Sequence, residues 1–273
     1  MLNTFMNLDR RIIYVVLLVV LFIPLYKPIG LPLPITRESK ATYEFIDKLP
    51  ADSVVLMINS TGPSVEAELY PQTLTMARHL MSKNIKIVIC SLAVEAPRYN
   101  TKLFERWAAE YKYESGRDYI ILPYKAGGET AMAAIGRDIV SLYTTDDNNK
   151  PLAGMPLWSR IKSVKDFTCV IDIGGGESQR WMLGHIQAPH KVPSIAAITA
   201  VILAVTQPYF SSGQLVGMLS GLNGAAEYEL QSKTPGPAAA GMDAQSLGHM
   251  WIVVLVLIGN IAYIASRSQT KKK

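Results

Sequence analysis

A chain of 273 residues that is 49% hydrophobic and only 18% charged is too apolar to be disordered and too polar for a polytopic transporter. Its length allows one domain of about 200 residues with a real core, plus a small number of membrane segments. The net charge of +5 sits at the ends, in Arg10, Arg11 and Lys27 and in Arg267, Lys271, Lys272 and Lys273, and the rest is close to neutral. No basic face is left for nucleic acid, and basic residues beside apolar runs read as membrane-orientation signals.

Residues 12–26 are almost wholly apolar. The run is short for a span, but residues 6–8 and 29–33 extend it across the hydrocarbon. No small-x-small cleavage site follows, so residues 1–33 are read as an uncleaved transmembrane anchor rather than a signal peptide.

Residues 34–230 read as repeated strand–loop–helix. Strands are expected at 54–59, 85–92, 119–122, 168–173 and 195–206, and helices at 65–83, 101–113, from Gly128 to about 135, 178–186 and 212–230. Short apolar runs alternating with amphipathic helices predict an α/β domain, a three-layer parallel sheet of the flavodoxin-like or Rossmann-like kind. Residues 144–166 form an irregular insertion. The run 194–206 lies between Pro193 and Pro208. It is short for a span and rich in β-branched residues, which favours a buried strand. Gly213, Gly217, Gly221 and Gly224 then recur at GxxxG-like spacing. That spacing fits a close-packed membrane helix or a soluble helix lying tightly on a sheet. Residues 231–246 read as a linker. Residues 247–273 form a second transmembrane anchor with a basic tail. Basic clusters at both ends favour two spans, with both termini cytoplasmic and the domain outside the cytoplasmic membrane.

In open parallel sheets, ligands bind beyond the carboxyl ends of the strands. The loops expected there carry Ser60, Thr61, Gly62 and Ser64, then Gly127 and Gly128, then Gly174, Gly175, Gly176 and Glu177. Glycines let backbone N–H groups face an anion, and Gly174-Gly175-Gly176 before a helix is the best such nest; a tight strand-to-helix turn needs glycine as well. Asp172-Ile173-Gly174-Gly175-Gly176 only superficially matches the actin-like ATPase phosphate motif, whose N-terminal Asp-x-Gly loop is missing. No GxxxxGK[ST] or GxGxxG run is present, so no cofactor is expected. Ser60 or Ser64 at a strand end is a candidate nucleophile, but GxSxG is absent and none of His79, His185 and His190 is identifiable as its base. Glu66 with Glu68, and Glu227 with Glu229, are paired carboxylates. At i and i+2 on a helix they face different directions, and Glu66 and Glu68 fit dipole compensation. Cys90 and Cys169 lie in apolar runs and read as buried small hydrophobes; a disulfide requires their strands to be close. His185 and His190 lack partners at metal-ligand spacing, so no metal is expected.

The stretch Ser212-Gly213-Gln214-Leu215-Val216-Gly217 through Gly221-Leu222-Asn223-Gly224-Ala225-Ala226-Glu227-Tyr228-Glu229 is distinctive. Together with the anchor–proline start and Tyr124-Lys125-Ala126-Gly127-Gly128, it resembles a family of uncharacterised prokaryotic membrane-anchored α/β proteins over residues 10–230. The resemblance implies the architecture and carries over no catalytic residue. Two functions are expected. One is a non-catalytic scaffold or ligand-sensing component of a membrane-associated assembly, with the lipid membrane and other membrane proteins or further copies as partners. The other is a hydrolase-like enzyme or small-molecule binder that uses the strand-end loops.

Overall fold

The computed structural model describes residues 9–234 and 236–270. The chain divides into two compact units, Pro34–Gly236 and the segments on either side of it. In the first unit, helix α2 (Arg37–Asp47) is followed by strand β1 (Val54–Asn59), α3 (Glu66–Ser82), β2 (Lys86–Ser91), α4 (Ala96–Tyr111), β3 (Tyr119–Tyr124) and α5 (Glu129–Leu142). After an irregular insertion come β4 (Cys169–Gly174), α6 (Ser178–Met182, continuing through a π turn to His190), β5 (Ser194–Ile198), α7 (Leu203–Ser211), β6 (Gly217–Ser220) and α8 (Gly221–Ser232). All six strands pair in parallel, in the Rossmann-like order β3-β2-β1-β4-β5-β6.

The strands are largely apolar because both faces are covered. Val54, Leu56 and Ile58 enter one core layer with Met132 and Ile135 of α5, Met182 of α6 and Trp158 and Phe167 of the insertion. Val55 and Met57 point to the other layer, with Ile46 of α2, Leu69 and Leu80 of α3, Phe104 of α4 and Tyr228 of α8. Cys90 and Cys169 are free and buried in opposite layers. Burial pushes the Cys90 thiol up to about 12 and the Cys169 thiol higher still, so both are inert.

Three expectations are corrected. The strand expected over 195–206 ends at Ile198, and Ala200–Ile202 opens a helical run that α7 continues. The Glu68 carboxylate accepts the Ala200 N–H at 2.7 Å, which satisfies that helix start and overrides the β propensity of the valines and isoleucines. The single helix expected over 212–230 is broken by β6. Met218 and Leu219 send their side chains to opposite core layers there, and Gly221 at φ +61° turns the chain into α8. The expected linker is also largely helical: α8 reaches Ser232, and Pro237 opens the last helix, α9 (Pro237–Thr270). Proline suits a first helical turn, whose N–H groups have no helical partner anyway.

The other unit holds α1 (Arg10–Tyr26) and α9. Among the described residues, one helix, Pro237–Ile264, is long and apolar enough to cross a membrane. Thus only the C-terminal end bears out the expectation of a span at each end. Helix α1 has 17 residues, about 26 Å at 1.5 Å per residue, short of a 30 Å core. Residues 6–8, which extend it in sequence, lie outside the described residues. The two helices pair antiparallel. A Cβ on Gly248 would lie 3.0 Å from Leu21, and the Asp243 carboxylate accepts the backbone N–H groups of Ile29, Gly30 and Leu31 at 2.7, 2.8 and 3.0 Å. Gly30 at φ +75° lets three successive N–H groups converge on one side chain.

Candidate functional site

Strand order reverses between β1 and β4. The helix after β1 covers one face of the sheet and the helix after β4 covers the other. The crevice left between their carboxyl ends is where ligands of such sheets sit. Ser60 lies at its edge, and the Ser60 N–H donates to the Ile173 carbonyl at 2.8 Å.

Much of the polarity expected there is spent on the fold. Thr61 is fully buried, and both its N–H and its hydroxyl donate to Asn59 Oδ1, at 2.9 and 2.6 Å. Asn59 Nδ2 donates to Asn100 Oδ1 at 2.6 Å, and Asn100 Nδ2 donates to Ser91 Oγ at 2.9 Å. This chain ties the ends of β1 and β2 to the first turns of α4. Gly62 accepts from the Val65 N–H in the turn before α3. Ser64 is exposed and Ser60 half-buried.

Gly174, Gly175 and Gly176 do reach the crevice, but not as the expected nest. None of the three adopts a positive φ. Their role is close approach. A Cβ on Gly174 would overlap Ser178 Oγ, and one on Gly175 would lie 3.1 Å from Thr199 and 3.2 Å from Val65. Gly175 therefore joins the loops after β1, β4 and β5. Gly176 is open to solvent, and exposed Glu177 pairs with Arg180 at 3.0 Å. Gly127 and Gly128 follow the outer strand β3. Their φ values of +117° and +51° start α5, and Gly128 abuts Trp181 of α6 rather than the crevice.

The four GxxxG-spaced glycines do not lie on one helix: only Gly221 and Gly224 lie together, in α8. Gly213 caps α7 in open space. Gly217 lets α2 approach β6, since a Cβ there would lie 2.8 Å from Thr42 Cα. Gly221 faces Ala200 and Glu68, and Gly224 faces the Leu219 backbone. The last three serve packing within the domain.

The paired carboxylates are separated by their tasks. Glu66 accepts the Tyr99 hydroxyl at 2.8 Å, while Glu68 holds Ala200. His79 is buried under α2 and α8, with Nδ1 2.7 Å from the Tyr228 oxygen and its ring stacked on Tyr43. Burial lowers its pKa, against an opposing contribution from Asp47. His185 pairs with Glu129 at 3.1 Å. No group of three metal-ligating side chains occurs among the described residues.

The residue that sequence reasoning missed is Asp172. It is fully buried beneath the glycine loop, with Oδ2 accepting the Ser178 hydroxyl at 2.8 Å. Burial pushes its pKa up to about 7, against the opposing pull of neighbouring Ser178 and Gln179. Asp172 Oδ1, Gln179 Oε1 and Thr199 Oγ1 are buried without a partner among the described residues. A lone acid inside the apolar run Cys169-Val170-Ile171-Asp172-Ile173 was the available signal. No family model matches the chain, and no curated protein or solved structure matches it either.

Proposed function

We propose that this chain is a membrane-anchored α/β protein whose domain acts, without catalysis of its own, as a scaffold or ligand-sensing component of a membrane-associated assembly. The observation that carries the reading is the antiparallel pairing of α1 with α9. Both helices leave apolar side chains exposed, among them Val15, Phe22, Val253 and Ile261. An apolar surface of that extent is unfavourable in water and suits lipid. We read α1 as part of a second span. Both basic ends then lie in the cytoplasm and the domain lies outside. Among the described residues no hydrogen bond joins Ser60 or Ser64 to a histidine, and His79 and His185 hold other partners, which favours binding over hydrolysis.

The first test is the native mass of the protein extracted from its own membrane in mild detergent. A mass several times 30.0 kDa, with further copies or other subunits, is expected. A bare monomer that yields no partner after gentle cross-linking rejects the assembly. Sidedness is read by placing a cysteine at Ser64 and labelling intact cells with an impermeant thiol reagent. Cys90 and Cys169 are fully buried and stay silent. Labelling only after cell lysis rejects the external domain.

The raised pKa of Asp172 and the unpartnered oxygens around it favour a second reading, an enzyme or small-molecule binder working at the β1–β4 crevice. Ser60→Ala and Ser64→Ala are then expected to lose any small molecule that co-purifies with the wild type, with unfolding unchanged. Retention in both variants places the site elsewhere.

A further inference from the structure

A second opening lies at the ends of β5 and β6, away from the β1–β4 crevice. It is a cavity of about 220 Å³, room for about seven waters at about 30 Å³ each. Its apolar wall comes from Ala200, Leu203 and Met218. Its polar side chains include Glu38, Gln207, Asn223 and Glu227, and no lysine or arginine lines it.

Two observations fix the sign of what fits there. Glu227 is fully buried, and all its hydrogen bonds come from neutral groups: the Thr36 N–H at 2.9 Å, the Thr36 hydroxyl at 2.6 Å and Asn223 Nδ2. Glu38 Oε1 accepts only Gln207 Nε2, at 2.6 Å. Among the described residues neither carboxylate has an ion-pair partner. Buried charges in proteins are normally paired. A carboxylate also only accepts, so each amide must turn its NH2 group toward its glutamate. That leaves Gln207 Oε1 and Asn223 Oδ1 as acceptors with no protein donor. The cavity thus combines two carboxylates that have no cationic partner among the described residues, spare acceptor oxygens and an apolar wall.

We propose that this cavity binds a small organic ammonium ion, its charged head on Glu38 and the amide oxygens and its hydrocarbon part against Leu203 and Met218. The inference does not depend on the membrane reading or on the β1–β4 crevice. It is tested by calorimetric titration of the full chain in nanodiscs with n-propylammonium, and with propanol and propionate as its neutral and anionic counterparts. Propylammonium is expected to bind at least tenfold more tightly than either. Glu38→Gln should weaken it about tenfold, as expected for the loss of one charge-assisted contact. Ala200→Leu, on a separate element, should abolish binding by filling the cavity. Glu44→Gln, on the exposed side of α2, should leave it unchanged. The proposal is overturned if propanol binds as well as propylammonium, if both cavity variants titrate like the wild type, or if the wild type takes up no propylammonium at millimolar concentration.

Discussion

The two ends of the parallel sheet treat a buried aspartate in opposite ways. At the amino ends, Asp118 just before β3 meets Lys86 at the start of β2 at 2.7 Å and Arg117 at 2.7 Å, and also accepts the Glu114 N–H. Burial alone would raise its pKa, but the hydrogen bonds from Arg117 and Lys86 outweigh that and bring it to about 2. At the carboxyl ends, Asp172 has one hydroxyl donor to the same carboxylate and no cation, and its pKa lies near 7. The first end has its charges compensated from within the chain. The second keeps an uncompensated group beneath a loop of glycines. That asymmetry separates an end whose buried acid is paired with cations from an end whose buried acid has none.

Lys86→Met should break the cohesive end. With Asp118 still buried and only Arg117 beside it, a loss of about 3 kcal/mol is expected, the lower part of the range for breaking a buried pair. Chemical denaturation at neutral pH reads it, and a loss under 1 kcal/mol would mean that Arg117 alone suffices. Asp172→Asn should act at the other end with the opposite sign. The folded protein holds a proton on Asp172 that the unfolded chain releases near pH 4, so wild-type stability falls as pH rises from about 4 to about 7 and then levels off. The asparagine removes that slope. It should be more stable than wild type by about 2 kcal/mol at pH 8 and no more stable at pH 4. Parallel pH profiles for the two proteins would dismiss the strain at this end. Glu177→Ala touches only an exposed pair with Arg180, and thermal unfolding should move by less than about 0.5 kcal/mol. A larger loss would mean that Glu177 helps hold the glycine loop.

The sheet was legible because β1, β2 and β4 are short runs dominated by apolar residues, and the helices between them repeat at helical spacing. Strand β6 was not. Four residues that include Gly217 carry too little pattern to outweigh the glycine spacing around them, and only pairing with β5 makes them a strand. The glycine loop after β4 was legible in position but not in purpose. A positive φ and a close approach demand the same residue, and only the neighbours Thr199 and Val65 show which applies. The β5–β6 cavity was illegible altogether. Its carboxylate and the Thr36 that holds it are 191 positions apart, and no local spacing encodes such a meeting.

The grip of Asp243 on the segment after α1 joins positions 213 residues apart at Gly30. During synthesis the first helix is made long before its partner exists. The entropy of closing so long a loop rises only slowly with its length, and the folded domain lowers it further. Thr36 at the domain's start is held by Glu227, and Gly236 at its end lies against Glu229, two residues further along α8. A chain truncated before position 243 would leave the N–H groups of Ile29, Gly30 and Leu31 without the Asp243 acceptor.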